Sequence, residues 1–202
     1  MIMCIELEKR PPRKYVSSKF SENTLVYSLN IDKSEPDTFR VNFDEIAFVL
    51  CPDGSKHRLM EAGYYKVIMK PTRVIWIKKV PREIKVGVPR EATGIDIGFH
   101  ARIRLYPMNW NLILEYFNFN EKEEEILIDN VKDIVKESAL QALLAVKDKI
   151  HGDHAELKNA FNNQLNQILM TTKLAGFMAV VSHLGFSTMC KLPSKIMEVV
   201  SP

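Results

Sequence analysis

No proline falls between Met108 and Leu192, although the chain contains ten. Glycine thins out in the same stretch: Gly54, Gly63, Gly87, Gly94 and Gly98 precede it, and only Gly152, Gly176 and Gly185 fall inside it. Proline removes a backbone donor and glycine costs conformational entropy, so both interrupt helices. The first part is therefore expected to be short strands and turns, and the proline-free part long helices. The expected fold class is α+β: an antiparallel, twisted β-meander, then a long helical hairpin, a short strand and a terminal helix. The expected division is an N-terminal extension with the first strands over residues 1–44 and an α+β domain over 45–202.

Residues 95–106 alternate without a fault. Ile95, Ile97, Phe99, Ala101, Ile103 and Leu105 share one parity, and Asp96, Gly98, His100, Arg102, Arg104 and Tyr106 the other. Successive side chains of a strand point to opposite faces, so this segment has one buried and one wet face. Ile84, Val86 and Val88 repeat the pattern. Arg73–Ile77 is rich in strand formers, and Ile46–Leu50 and Ser55–Met60 flank Cys51-Pro-Asp-Gly54, a hairpin turn signal. Tyr64–Met69, Leu25–Ile31 and Thr38–Phe43 complete the expected strands.

In the proline-free part, Glu121–Glu125 reads as the acidic start of a helix, where negative charge complements the helix dipole. Ile128, Val131, Val135, Ala139, Ala142, Val146 and Ile150 then recur at steps of three and four, the period of one helix face. His151-Gly152 ends that helix and Asp153 with Glu156 opens the next, whose stripe is Leu157, Phe161, Leu165, Ile168, Thr172 and Ala175. Leu174–Val181 is too short to span a membrane; it reads as a buried helix turn, with shallow membrane contact the alternative. Phe186–Cys190 reads as a short strand and Ser194–Val200 as a last helix.

The chemistry is sparse. Cys4, Cys51 and Cys190 are odd in number and widely spaced, which reads neither as a disulfide framework nor as a zinc knuckle and favours a reducing, cytoplasmic setting. Cys51, beside its turn, reads as exposed. His151, Asp153 and His154 are the only dense group of metal-ligand types, and a plain interhelical turn accounts for them better. There is no G-x-S-x-G elbow and no phosphate loop. No enzyme, no cofactor and no metal is expected.

Basic charge gathers at Lys66, Lys70, Arg73, Lys78, Lys79, Arg82, Lys85 and Arg90, with Glu83 the single acid among them. A solvated sheet edge and a surface for anionic headgroups or an acidic partner account for this equally well. RNA binding is the weaker alternative: Trp76 and Phe99 suit base stacking, but no RNA-binding motif frames them.

The order of these segments resembles the SPFH or band-7 superfamily of stomatins, prohibitins and flotillins. The residues that carry the resemblance are Asp53-Gly54, Glu61-Ala-Gly-Tyr-Tyr65, Ile84-Lys-Val-Gly-Val88 and Ala92-Thr-Gly-Ile-Asp-Ile97, then Leu184–Pro193 and Lys195–Val199. The pattern departs from the family at Thr93-Gly-Ile-Asp96, where Thr-x-Asp-Gly is usual, and at Ala62-Gly63 in place of Pro-Gly. Neither the family's apolar N-terminal anchor nor its coiled coil appears between Met1 and Pro202.

The resemblance implies a non-enzymatic scaffold that forms homo-oligomers and organises a membrane surface or a protein complex. The eight cations would then meet anionic lipid or a partner, and Ile128, Val131, Val135, Leu157, Phe161 and Leu165 would pack helices or subunits. The alternatives are a soluble shell module, as in the vault shoulder domain, and an RNA-binding module.

Overall fold

The computed structural model describes residues 4–116 and 123–187. In chain order the elements are β1 (Ile5–Glu8), β2 (Thr24–Ile31), β3 (Thr38–Val41), β4 (Glu45–Leu50), β5 (Lys56–Leu59), β6 (Gly63–Val67), β7 (Thr72–Lys78) and β8 (Arg82–Val88). They continue with α1 (Arg90–Thr93), β9 (Gly98–Pro107), α2 (Trp110–Tyr116), β10 (Glu123–Leu127), α3 (Ile128–Ala145), α4 (His154–Leu169) and β11 (Phe177–Ser187). The fold is mixed α and β, with antiparallel sheets. Two compact units result, Met1–Val80 with Asn118–Ile128 and Pro81–Phe117 with Asp129–Pro202; Asp44 and Glu45 both lie inside the first.

The first unit holds two sheets, in the orders β1-β6-β3 and β10-β2-β7-β4-β5. Their shared core includes Tyr27, Phe39, Val49, Tyr65 and Trp76. Trp76 is 0 % exposed and packs against Phe39 and Tyr27 at centroid distances of 5.9 and 5.6 Å. Its indole N–H, too costly to bury without a partner, donates to the Arg40 carbonyl at 2.9 Å. β2, β4 and β7 are buried at nearly every position, so they read as apolar runs rather than alternations.

The sheets do not form a simple meander. Only β4–β5 and β8–β9 are both consecutive and paired. Residues 123–127 are not a helix start: they pair antiparallel with β2, and Ile128 N–H donates to the Asn23 carbonyl at 2.8 Å. The edge of β2 needs ladder partners, and this pairing outweighs the local preference of acids for a helix N-terminus.

In the second unit the sheet order is β11-β9-β8. The expected parity holds, with Ile84, Val86, Val88, Phe99, Ala101, Ile103 and Leu105 all buried. β9 begins at Gly98 rather than Ile95 because Gly94 and Asp96 take φ of 69° and 63°, which no strand allows. Arg90 pairs with Asp96 across that turn. In α3, Val131, Val135, Ala139 and Ala142 face inward as the period predicts; in α4, Leu157, Phe161, Leu165 and Leu169 do so. Phe161 meets Phe99 edge-on at 6.2 Å, which seats α4 on the sheet.

The apolar stretch Leu174–Val181 is not a helix turn. α4 ends at Leu169, so Thr172 and Ala175 fall beyond it, and β11 starts at Phe177 with burial alternating through Phe177, Ala179 and Val181. Met178 and Val180 on the wet parity are also apolar, so the sequence shows no alternation there. Gly176 marks the switch: a Cβ there would lie 2.3 Å from Ile113 Cγ1 and 2.6 Å from the Asn109 carbonyl. The expected strand Phe186–Cys190 lies partly, and the expected helix Ser194–Val200 wholly, outside the described residues.

One edge of this sheet is closed by side chains. Asn166 accepts from Ala179 N–H and donates to the Ala179 carbonyl, both at 2.8 Å, and Asn162 accepts from Val181 N–H at 2.8 Å. Lys158 donates to the Ser182 carbonyl at 3.1 Å, and His154 Nε2 lies 3.0 Å from the Leu184 carbonyl. Residues four apart on a helix stack on one face, so positions 154, 158, 162 and 166 form a polar stripe beside the buried stripe of 157, 161, 165 and 169. The stripe gives β11 the partners a further strand would give.

Candidate functional site

The basic residues do not form one face. Lys66 to Lys79 belong to the first unit, and Arg82, Lys85 and Arg90 to the second. Lys70 donates to the carbonyls of Asp32 and Glu35 at 2.8 and 2.9 Å and pairs with Asp37 at 2.7 Å. Arg73 donates to Ser28 Oγ at 2.9 Å, and Lys79 to the carbonyls of Phe43 and Met60 at 3.0 and 3.1 Å. Lys78 pairs with Asp44 at 2.6 Å and with Glu45 at 3.3 Å. These four cations and Arg90 are thus spent on internal structure. Lys66 and Lys85 are exposed, and Arg82 is half-buried.

Val131, Val135, Leu157, Phe161 and Leu165 are buried inside the second unit, and Ile128, half-buried, opens α3. They build core. His151, Asp153 and His154 are not gathered round a common point: Asp153 caps α4 by accepting from Glu156 N–H at 2.8 Å, and His154 belongs to the stripe along β11.

The wet face of the second unit's sheet brings together a pair that spacing did not suggest. His100 and His183 stack at 5.0 Å, with their Nε2 atoms 3.0 Å apart. Gly185, opposite His100 in the ladder, makes room, since a Cβ there would meet the His100 ring at 2.4 Å. Burial, then His183, then Arg102 push the His100 imidazole below its ordinary range. A histidine depressed in the fold binds protons more weakly there than in the unfolded chain. Its stabilising effect is complete above the unfolded value of about 6.5 and is lost as pH falls from there towards the folded value. Replacing His100 with glutamine should flatten the dependence of the unfolding midpoint on pH in that window, as denaturant titrations from pH 5 to 8 can check.

A second cluster lies in the first unit. Cys4, just before β1, and Cys51, just after β4, are joined as a disulfide with Cα atoms 6.1 Å apart. Both belong to the core, and Cys51 is 7 % exposed rather than open to solvent. Cys4 and Cys51 therefore do pair, despite their wide spacing. Cys51, Ser55 and His57 share a face because Leu50 pairs with Lys56 across the hairpin and parity alternates from there.

Sulfur and imidazole ligand atoms of Cys4, Cys51 and His57 all lie within 4.8 Å of one another. Behind them, Asp53 Oδ1 accepts from Ser55 Oγ at 2.6 Å and from Ser55 N–H at 2.9 Å, and Ser55 Oγ lies 3.4 Å from His57 Nε2. The Ser55 hydrogen bonds hold the Asp53 carboxyl below its usual range. With its own proton committed to Asp53, the Ser55 oxygen is left as an acceptor facing His57 Nε2. The Pro-Asp-Gly turn and strand parity together place Cys51 beside His57, a signal that local sequence does carry. Cys4 arrives only through the tertiary fold.

Among the described residues no helix is long and apolar enough to cross a membrane. The chain matches no protein-family model and no curated protein.

Proposed function

We propose that this chain is a non-enzymatic scaffold domain of the SPFH or band-7 kind whose copies associate edge to edge through β8. The observation that carries the reading is the asymmetry of the second unit's sheet. The β11 edge is closed by the α4 stripe, whereas β8 has β9 on one side and no strand on the other among the described residues. An open edge is a template for another chain.

The charges on β8 suit a second copy. In an antiparallel pairing centred on Ile84, Glu83 of each copy stands opposite Lys85 of the other. An arrangement of helices and strands as in the band-7 family is part of the same proposal. Membrane contact through the basic residues is less favoured, because Lys70, Arg73, Lys78, Lys79 and Arg90 already hold internal partners.

Sedimentation equilibrium of the full chain tests the reading. The native chain should show reversible, concentration-dependent dimers. Lys85→Glu should weaken them roughly tenfold, each substitution acting twice across a two-fold axis. Glu83→Lys combined with Lys85→Glu should restore them. A strict monomer at high concentration, or association indifferent to Lys85→Glu, overturns the edge-to-edge reading.

A further inference from the structure

We propose that Cys4, Cys51 and His57 form a redox-gated site for a thiophilic divalent cation of the zinc class. The structure holds the oxidised, disulfide form. Two thiolates and one imidazole form a donor set that favours zinc over magnesium or calcium, which prefer oxygen. On a tetrahedral zinc, neighbouring sulfur and nitrogen donors stand about 3.3–3.8 Å apart. The three ligand atoms already lie within 4.8 Å of one another. Once the sulfur–sulfur bond is broken, small side-chain rotations reach that spacing.

The surroundings are those of an organised site. The Asp53–Ser55–His57 chain braces the imidazole, the outer support that metal-binding histidines ordinarily have. Cys4 is 0 % exposed and Cys51 7 %, while His57 is half-buried and gives access from solvent. Three protein ligands leave the fourth position to water. The gating balances as follows. A dithiol reductant supplies two electrons and two protons, cleaving the disulfide to two thiols and itself becoming a disulfide. Binding of the cation releases two protons as both thiols become thiolates. Two-electron oxidation by a disulfide oxidant reverses both steps and expels the cation.

The site lies in the first unit and the β8 edge in the second, so this inference does not depend on the association reading. The test uses the full chain carrying Cys190→Ser, reduced by a dithiol, freed of metal and of excess reductant, and titrated anaerobically with Co²⁺. One equivalent should bind, with the visible bands of a tetrahedral ion and near-ultraviolet thiolate charge transfer, and Zn²⁺ should displace it. Oxidation with glutathione disulfide should abolish both signals. His57→Gln keeps both cysteines and should weaken binding by about 100-fold or more, and Ser55→Ala by roughly tenfold. The proposal is overturned if the reduced chain binds no Co²⁺, if the bound ion is octahedral and lacks thiolate absorption, or if His57→Gln binds as tightly as the parent.

Discussion

Replacing Asn162 and Asn166 together with leucine should destabilise the second unit by about 4 kcal/mol. The substitutions remove the partners of the Ala179 N–H, the Ala179 carbonyl and the Val181 N–H. A buried backbone group stripped of its partner costs about 1–3 kcal/mol, and leucine of similar volume keeps water from substituting. Asn166→Asp separates this from a packing effect. Its carboxylate still accepts from Ala179 N–H but cannot donate to the Ala179 carbonyl, so a loss of about 1–2 kcal/mol is expected. Denaturant unfolding read through Trp110, in a Trp76→Phe background, measures both. Hydrogen exchange should quicken first at Ala179 and Val181. Equal protection of those amides in parent and double variant would show that the helix stripe does not close the edge. The same variants should also associate more readily, because β11 then becomes a second open edge.

Lys78→Met should lower the stability of the first unit by about 3 kcal/mol. Glu45 is 1 % exposed; its carboxylate accepts from Ser18 Oγ at 2.7 Å, from Asn42 N–H at 3.0 Å and from Asn42 Nδ2 at 2.9 Å, and it pairs with Lys78. Breaking a buried ion pair by removing one partner costs about 3–5 kcal/mol, because the other charge stays behind without compensation. The lower end applies here, since the Lys78 side chain is 18 % exposed and water can reach its end. Lys78→Met with Glu45→Gln should recover part of the loss, because the amide carries no unpaired charge and its oxygen still accepts from the Ser18 and Asn42 donors. Urea unfolding followed by Trp76 fluorescence in a Trp110→Phe background gives both numbers. If the double variant is no more stable than Lys78→Met alone, the uncompensated carboxylate is not the cause. A drop in stability also separates this lysine's structural role from a binding role, which would leave the unfolding midpoint unchanged.

The sequence was legible wherever local periodicity and local chemistry agree. Ile84 to Val88 and Phe99 to Leu105 alternate, and their buried parity is the one observed. Asp153 caps a helix because its carboxylate reaches a backbone N–H three residues on, a contact that needs no tertiary partner. The reading failed where both parities are apolar, as in Phe177–Val181, or where a distant strand offered better hydrogen bonding than the local preference, as at Glu123–Leu127. Length and spacing cannot show that a segment is wanted as the outer strand of a sheet already formed.

The sites divide along the same line. Eight cations within 25 positions of sequence resembled a surface, yet strands place neighbours on opposite faces, and several of these groups turn to internal partners: Lys70 to carbonyls, Arg73 to the Ser28 hydroxyl and Lys78 to carboxylates. Cys4 and Cys51 looked solitary because 47 positions separate them, and only the packing of two sheets on one core joins them. By itself, then, the sequence determined the α and β composition, the inward parity of the alternating strands, the two helix stripes as far as Ala142 and Leu165, and the cap between them. All follow from interactions within a few residues. The tertiary structure alone decided which strands are neighbours, which sheet edge is closed and which cysteine, histidine and lysine side chains meet. Those outcomes depend on contacts between residues far apart in the chain, whose closure no local pattern encodes.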